Sequence, residues 1–231
     1  MNILSYLLDG ANWPGPNGIL ALLGQHVLYT ALSVAIAAVI AIPLGILIGH
    51  TGRGNLLVVG TTNAARAIPT LGLLVLVIML TTTGTWPVVF SLVVRAIPAI
   101  LTATAAGVQN ADREAVHAAR GMGMTAGQVV AKVEWPLALP LVISGLRSAT
   151  LQVVATATVA AFVSSGGLGR LLISGQKIQD YPQMFAGAVM IALLAIFLDI
   201  VLGIIGWAVA RRARPTAKVE QADRTPVTAT A

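Results

Sequence analysis

The chain has 231 residues, of which 57% are hydrophobic and only 10% are charged, and its formal net charge is +6. A soluble globular protein has about 45–50% apolar and about 25% charged residues, so this composition excludes an ordinary soluble domain and indicates a single-domain integral membrane protein. The sequence contains no cysteine, which excludes a disulfide framework, a thiolate metal site and a cysteine nucleophile.

Five apolar stretches are each long enough to cross the hydrocarbon core of a bilayer, for which a helix needs about 20 residues. The sequence therefore predicts an all-α membrane protein with about five transmembrane helices. In chain order, the predicted spans are 28–48, 56–80, 88–108, 137–163 and 184–210. Residues 1–27 are predicted as an extracytoplasmic N-terminal segment, 28–210 as the transmembrane domain and 211–231 as a disordered cytoplasmic tail.

Prolines, glycines and small residues shape these spans. Pro43 predicts a kink in the first span, and Ile68-Pro69 predicts a break in the second. The fourth span is rich in small residues, which let helices approach closely in lipid, so we expect it to be buried among the others. Stretch 164–182 opens with SSGGLG and is predicted as a loop, because its glycines permit positive φ.

Basic residues are distributed unequally between the two sides of the membrane. If the polar stretch 112–140 is cytoplasmic, the positive-inside rule predicts an external N-terminus and an internal C-terminus. The basic excess is then a topology signal, helped by anionic lipid, and not a nucleic-acid footprint. The inner segments carry Arg53, Arg113, Arg120, Lys132, Arg211, Arg212, Arg214, Lys218 and Arg224, whereas the outer segments carry Arg170 and Lys177.

The polar stretch 112–140 has the local signals of two short surface helices. Asp112 lies where the first helix begins, at the end of a helix dipole that favours an acid. Thr125, followed three residues later by Gln128, predicts a capping box that begins the second helix, and Pro136 is expected to end it. The residues alone leave two interpretations open: a handle gripped by another subunit, or an interfacial loop that merely joins two spans.

This stretch resembles the cytoplasmic coupling loop of ATP-binding-cassette (ABC) importer permeases. The pattern of that family is Glu-Ala-Ala, three residues, Gly, nine residues, Ile, one residue and Leu-Pro. It falls here on His117-Ala118-Ala119, Gly123, Val133 and Trp135-Pro136, with the spacing kept throughout. His117 departs from the pattern because it stands where the family has a glutamate, and Glu114, one helical turn earlier, is a candidate for the missing acid.

Further motifs resemble permeases of the osmoprotectant or quaternary-amine group, which import glycine betaine, choline, carnitine or proline betaine. The resemblance covers about residues 31–175. The motifs are AARGMGM at 118–124, GLR at 145–147, TATVAAFVSSGGLG at 156–169 and Ile68-Pro69.

The resemblance implies a type I ABC importer permease fold with a coupling helix in loop 112–136, in the cytoplasmic membrane of a prokaryote. It implies three kinds of protein partner: ABC ATPase subunits, a second permease chain, identical or homologous, and an extracytoplasmic substrate-binding protein. ATP and Mg would be bound by the ATPase, because this chain has no G-x-x-x-x-G-K-[ST] phosphate loop. We expect no cofactor, metal site or catalytic residue in the chain itself. The residues expected to contact the ATPase are Glu114, His117, Ala118, Ala119, Arg120, Gly121, Met122 and Gly123.

Ionisable residues within the spans form a second group of candidates. An isolated charge inside a membrane is costly, so these residues should face a cavity or each other. We expect Asp199 to pair with Arg66 or Arg147. Two roles stay open: the pair is purely structural, or one arginine contacts the carboxylate of a betaine during its passage. Arginines that line the path would repel choline. The four candidates are Arg66, Arg95, Arg147 and Asp199.

Other functions and roles stay open at this point. Tyr29, Trp86 and Trp207 fall near span ends, as interfacial anchors do, although an aromatic cage for a quaternary ammonium is the alternative. The chain could also be an importer permease for methionine or an alkyl sulfonate, or a stand-alone secondary transporter. The odd number of spans and the lack of visible inverted repeats argue against the last.

Overall fold

The computed structural model describes residues 3–81, 84–162 and 166–213, and the regular structure of these residues is helical. In chain order the elements are α1 (Ile3–Leu8), a 3-10 turn (Gly10–Asn12), α2 (Ile19–Thr51), α3 (Asn55–Ala67), α4 (Thr70–Leu80), α5 (Thr85–Gln109), α6 (Arg113–Gly121), α7 (Ala126–Val129), a π-helical turn (Val130–Glu134), α8 (Trp135–Ala160), α9 (Gly169–Ile178) and α10 (Tyr181–Ala213).

Four helical segments of the described chain are long and apolar enough to cross a membrane: α2, α5, the continuous run Ala126–Ala160 and α10. The all-α membrane fold is therefore confirmed. The predicted span 56–80 differs, because it folds as two shorter helices, α3 and α4, separated at the predicted break. Ile68 is extended there (φ −76°, ψ 119°), since the ring of a following proline disfavours the helical conformation.

Several helices differ in extent from the predicted elements. The first spanning helix begins at Ile19 and not at residue 28, because the apolar pattern continues towards the N-terminus. Stretch 164–182 contains helix α9 where a loop was predicted. Its Gly169 and Gly175 pack closely against Thr158 and Met184, so these glycines allow helix packing as well as turns. Helix α10 continues to Ala213, so the predicted tail begins with helix, and 214–231 lie outside the described residues.

Helix α5 forms the centre of the bundle, packed between α2 and α8. Small residues allow the close approach: a Cβ atom added to Gly45 of α2 would lie 2.6 Å from the Cβ atom of Thr104. Gly145 of α8 is in similarly close contact with Ala103 of α5. The prediction that the fourth span is buried is correct for one face of α8 only. Helix α5, and not α8, is the most deeply buried of the spanning helices.

Candidate functional site

Helix α6 lies in the connection between α5 and α8, and we call the end of the bundle that carries it the loop end. The side chain of Asp112 accepts a hydrogen bond from the backbone N–H of Glu114 at 2.9 Å, which confirms the predicted start of the helix. Ala119 is only 2% exposed and anchors α6 to the body of the protein. The other residues expected to contact the ATPase are exposed: Glu114, His117, Ala118, Arg120, Gly121, Met122 and Gly123.

A tight turn connects α6 to α7. Gly123 has φ 82°, a left-handed conformation that glycine adopts without strain. The predicted capping box is confirmed, because the N–H of Thr125 donates to Oε1 of Gln128 at 2.9 Å and the N–H of Gln128 donates to Oγ1 of Thr125 at 3.4 Å. Val129 of α7 is fully buried, so α7 is attached to the bundle.

The expectation that Pro136 ends the second helix is wrong. Helix α7 continues through the π-helical turn Val130–Glu134 into α8, so residues Ala126–Ala160 form one helical run. The N–H of Trp135 bonds to the carbonyl of Val130, five residues earlier. This extra residue in the turn shifts the hydrogen-bond register next to the proline, which has no N–H of its own to donate. The surface loop is therefore joined directly to a membrane-spanning helix.

A polar contact ties the end of α2 to this π-helical turn. Nδ1 of His50 lies 2.7 Å from Oε2 of Glu134, and the two side chains are 18% and 6% exposed. The contact borders a cleft of about 440 Å³ at the loop end, which is also lined by Arg113, His117 and Arg120 of α6. Sequence reasoning missed this pair because His50 and Glu134 are far apart in the chain, His50 belongs to no motif, and the coupling-loop pattern leaves the position of Glu134 unspecified.

A second polar opening of similar size lies within the bundle. A cavity of about 450 Å³ is bounded by α3, α5 and α8. The hydroxyls of Thr62 and Thr102 are hydrogen-bonded across it at 3.0 Å. Small residues of α5 and α8 leave the space open. Its polar lining residues are Thr62, Arg95, Thr102, Ser144, Ser148 and Gln152.

The four ionisable candidates separate into different environments. Asp199 pairs with Arg147, one of its two predicted partners, through contacts of 2.5 Å from Nε to Oδ1 and 2.5 Å from Nη2 to Oδ2. This pair joins α8 to α10 and does not line the cavity. Arg95 is half-buried and lines the cavity. The side chain of Arg66 lies outside the described residues.

At the opposite end of the bundle, α2 holds the described part of the SSGGLG motif, residues 166–169. The N–H of Leu168 donates to Nδ1 of His26 at 3.3 Å, and Nε2 of His26 lies 3.1 Å from the carbonyl oxygen of Val154. Because Nδ1 accepts, Nε2 carries the proton and donates. The N–H of Gly167 donates to Oε1 of Gln25 at 3.1 Å. Residues 164 and 165 of the motif lie outside the described residues.

The aromatic candidates do not gather around a ligand site. Tyr29 is 8% exposed, so its predicted role as an interfacial anchor is wrong, and it packs in the core instead. Trp86 and Trp207 are exposed, as anchors would be, and the guanidinium of Arg211 lies 4.0 Å from the ring centre of Trp207. None of these residues lines the cavity between α3, α5 and α8.

Comparison with known proteins places these features in context. Residues 41–215 match the family described as "Binding-protein-dependent transport system inner membrane component". The chain is 30% identical to the glycine betaine/carnitine/choline transport system permease protein OpuCB of Bacillus subtilis, over 78% of this chain and 83% of the relative. It is 35% identical to the carnitine transport permease protein OpuCD of Listeria monocytogenes, over 78% of this chain and 81% of the relative. Among solved structures, it resembles a chain of the MetNI methionine ABC transporter in an inward-facing conformation, with a TM-score of 0.71 and 26% identity over 80% of this chain and 93% of that chain.

Proposed function

Because the chain belongs to the family of inner membrane components of binding-protein-dependent transport systems, and has the type I ABC importer permease fold, we propose that it forms one half of the path for an osmoprotectant. The cargo proposed is a quaternary amine such as glycine betaine, carnitine, choline or proline betaine. Two similar permeases carry glycine betaine, carnitine or choline in their names, which supports this class.

The observation that carries the proposal is the direct connection between the exposed helix α6 and the cavity. The chain passes from α6 through a tight turn into α7, and from there α7, the π-helical turn and α8 form one continuous helical run. Helix α8 then supplies Ser144, Ser148 and Gln152 to the cavity wall. A force applied to α6 would therefore move one wall of the cavity.

The polar contact between His50 and Glu134 extends this movement to a second helix. It ties the last turn of α2 to the π-helical turn at the base of α8. Glu134 is almost fully buried, and a buried polar group is normally hydrogen-bonded, so the contact with His50 is expected to hold the two helices together. A displacement of α6 is thus expected to move α2 and α8 as a unit.

The energy for import would come from a separate ABC ATPase. In the proposed complex, α6 of each of two permease chains lies in a groove of one ATPase subunit. The exposed Glu114, Ala118 and Met122 are available for this contact, and Glu114 supplies the acid that His117 does not. ATP-driven closure of the ATPases would bring the two α6 helices together. Because the closed ATPases would bind one arrangement of α6 better than the other, they would bias the bundle towards an outward-facing state.

The proposed orientation follows from the distribution of basic residues. With the loop end in the cytoplasm, α6 faces the compartment that contains ATP, and the N-terminal segment faces outwards, where an extracytoplasmic binding protein would deliver the cargo. His26 and the segment around Leu168 would then lie at the outer end of the path.

A second candidate cargo is methionine, because the chain resembles a subunit of a methionine transporter. The two are separated by reconstituting the chain with its ATPase and its binding protein in proteoliposomes. We expect ATP-dependent uptake of labelled glycine betaine, carnitine or choline and none of methionine. Uptake of methionine alone would contradict the osmoprotectant assignment, and uptake without ATP or an ATPase would contradict the permease assignment.

A further inference from the structure

The cavity between α3, α5 and α8 has an unusual distribution of charge. Among the described residues that line it, Arg95 is the charged one, and none of these residues is a carboxylate or an aromatic. The other intramembrane arginine with a described side chain, Arg147, is held by both oxygens of Asp199 and faces α10. Within the described part of the cavity wall, the positive charge is therefore that of Arg95.

Arg95 lies deep within the bundle. It comes ten residues after Thr85, the first residue of α5, which places it about 15 Å along the helix axis. It is half-buried and borders both the main cavity and a smaller pocket next to the break between α3 and α4. An arginine at this depth is costly in a membrane protein, and such residues commonly mark the path of a substrate.

We propose that Arg95 selects cargo by binding a carboxylate, so that the chain carries a zwitterionic betaine in preference to choline. This inference rests on the proposed function. Glycine betaine, carnitine and choline share a trimethylammonium group, and the described lining residues include no aromatic face that would bind such a group well. The molecules differ at the other end, where the two betaines have a carboxylate and choline has a hydroxyl.

The chemistry of a guanidinium fits this difference. Arginine binds a carboxylate through two parallel charge-assisted hydrogen bonds, and it stays protonated at any physiological pH. The same charge repels choline, which is a cation, whereas a betaine has no net charge. Arg95 thus distinguishes two molecules of nearly equal size by the sign and placement of their charge.

The rest of the wall suits passage and not tight binding. Ser144, Ser148 and Gln152 follow one another at intervals of four residues on α8, so they lie along one side of that helix and line the cavity in a row. They offer neutral hydrogen-bonding groups. These three side chains carry no positive charge that would hold a carboxylate after it leaves Arg95.

The test is cargo selectivity in proteoliposomes that contain the complete complex of permease, ATPase and binding protein. Initial uptake of labelled glycine betaine, carnitine and choline is measured at equal occupancy of the binding protein. We expect the unmodified complex to transport glycine betaine about tenfold faster than choline, because one charge-assisted contact is worth about that factor. Arg95→Gln should lower betaine uptake to the rate of choline without lowering choline uptake, and Arg95→Lys should keep most of the preference.

A matched control removes a charge pair that does not line the cavity. The double variant Arg147→Gln with Asp199→Asn should keep the preference for glycine betaine.

Equal transport of choline and glycine betaine by the unmodified complex, or an equal fall of both in Arg95→Gln, would overturn the inference. If Arg95→Gln does not assemble, the inference is tested by the ratio of glycine betaine uptake to choline uptake in the unmodified complex and in Arg95→Lys. Uptake of no quaternary amine would contradict the proposed function as well, whereas uptake without a carboxylate preference contradicts only the role of Arg95.

Discussion

Among the described residues, two contacts between a carboxylate and a basic side chain join different helices, and they differ in position and in exposure to solvent. The His50–Glu134 contact joins α2 to the turn beside the surface loop, with side chains that are 18% and 6% exposed. The Arg147–Asp199 contact joins α8 to α10, with side chains that are 44% and 31% exposed. Helix α10 is peripheral, and many of its large apolar side chains face outwards. We therefore expect the buried His50–Glu134 contact to transmit movement and the more exposed Arg147–Asp199 contact to attach a peripheral helix.

The largest effect is expected from Glu134→Ala, which removes one side of the sheltered contact. A buried polar group left without its partner costs about 1–3 kcal/mol, which corresponds to about tenfold or more in an equilibrium. We expect ATP-driven uptake to fall about tenfold while the complex still assembles and hydrolyses ATP. The measurement compares uptake with ATP hydrolysis in the same proteoliposomes.

Glu134→Gln is the matched control, because its amide can still form a hydrogen bond with His50. This variant should keep most of the uptake. If Glu134→Ala transported as well as the unmodified protein, or if uptake and ATP hydrolysis fell together in both variants, the contact would have no specific role in coupling.

Asp199→Asn is expected to lower the yield of protein more than it lowers transport by each assembled complex. The change leaves Arg147 without its counter-ion within the membrane, so less protein should insert and survive, with yield reduced several-fold. Uptake per assembled complex should be unchanged, because the pair does not line the cavity. Normal yield with lost uptake would show that the pair contacts the cargo or takes part in the transport cycle.

The smallest effect is expected from Gly167→Ala, at the end of the bundle opposite the loop. Gly167 has φ 81°, which costs a residue with a Cβ atom about 1 kcal/mol. We expect a modest fall in the thermal unfolding temperature of the purified complex. Gly60→Ala is the control, since a Cβ atom at this helical position meets no atom within 4 Å. If both variants had the same unfolding temperature, the segment held by His26 would not be an ordered part of the fold.

The parts of the loop that sequence predicts correctly depend on short-range signals. Asp112 caps α6, and Thr125 and Gln128 form a capping box, because each of these interactions spans at most three residues. The Ile68-Pro69 break is equally local, since a proline restricts the residue before it.

The parts that sequence misses depend on the tertiary structure. Pro136 is a local stop signal, but a π-helical turn shifts the hydrogen-bond register and the helix continues. The contact between His50 and Glu134 joins residues 84 positions apart, and no motif marks either of them. The cavity around Arg95 arises from three helices packed together, so a single helix pattern indicates only that a charge is present and not what it faces.

Cross-linking from α6 tests the coupling of this chain to a separate ATPase most directly. The sequence contains no cysteine, so Ala118→Cys introduces a unique thiol on the exposed side of α6. In membranes of cells that express the complete transporter, a short cross-linker with one thiol-reactive end and one photoactivated end is expected to link this cysteine to the ATPase subunit. Leu20→Cys, at the end of α2 far from the loop end, should give no such product. Failure of Ala118→Cys to capture an ATP-hydrolysing protein, or labelling of this cysteine by an impermeant reagent from outside the cell, would contradict the proposed coupling.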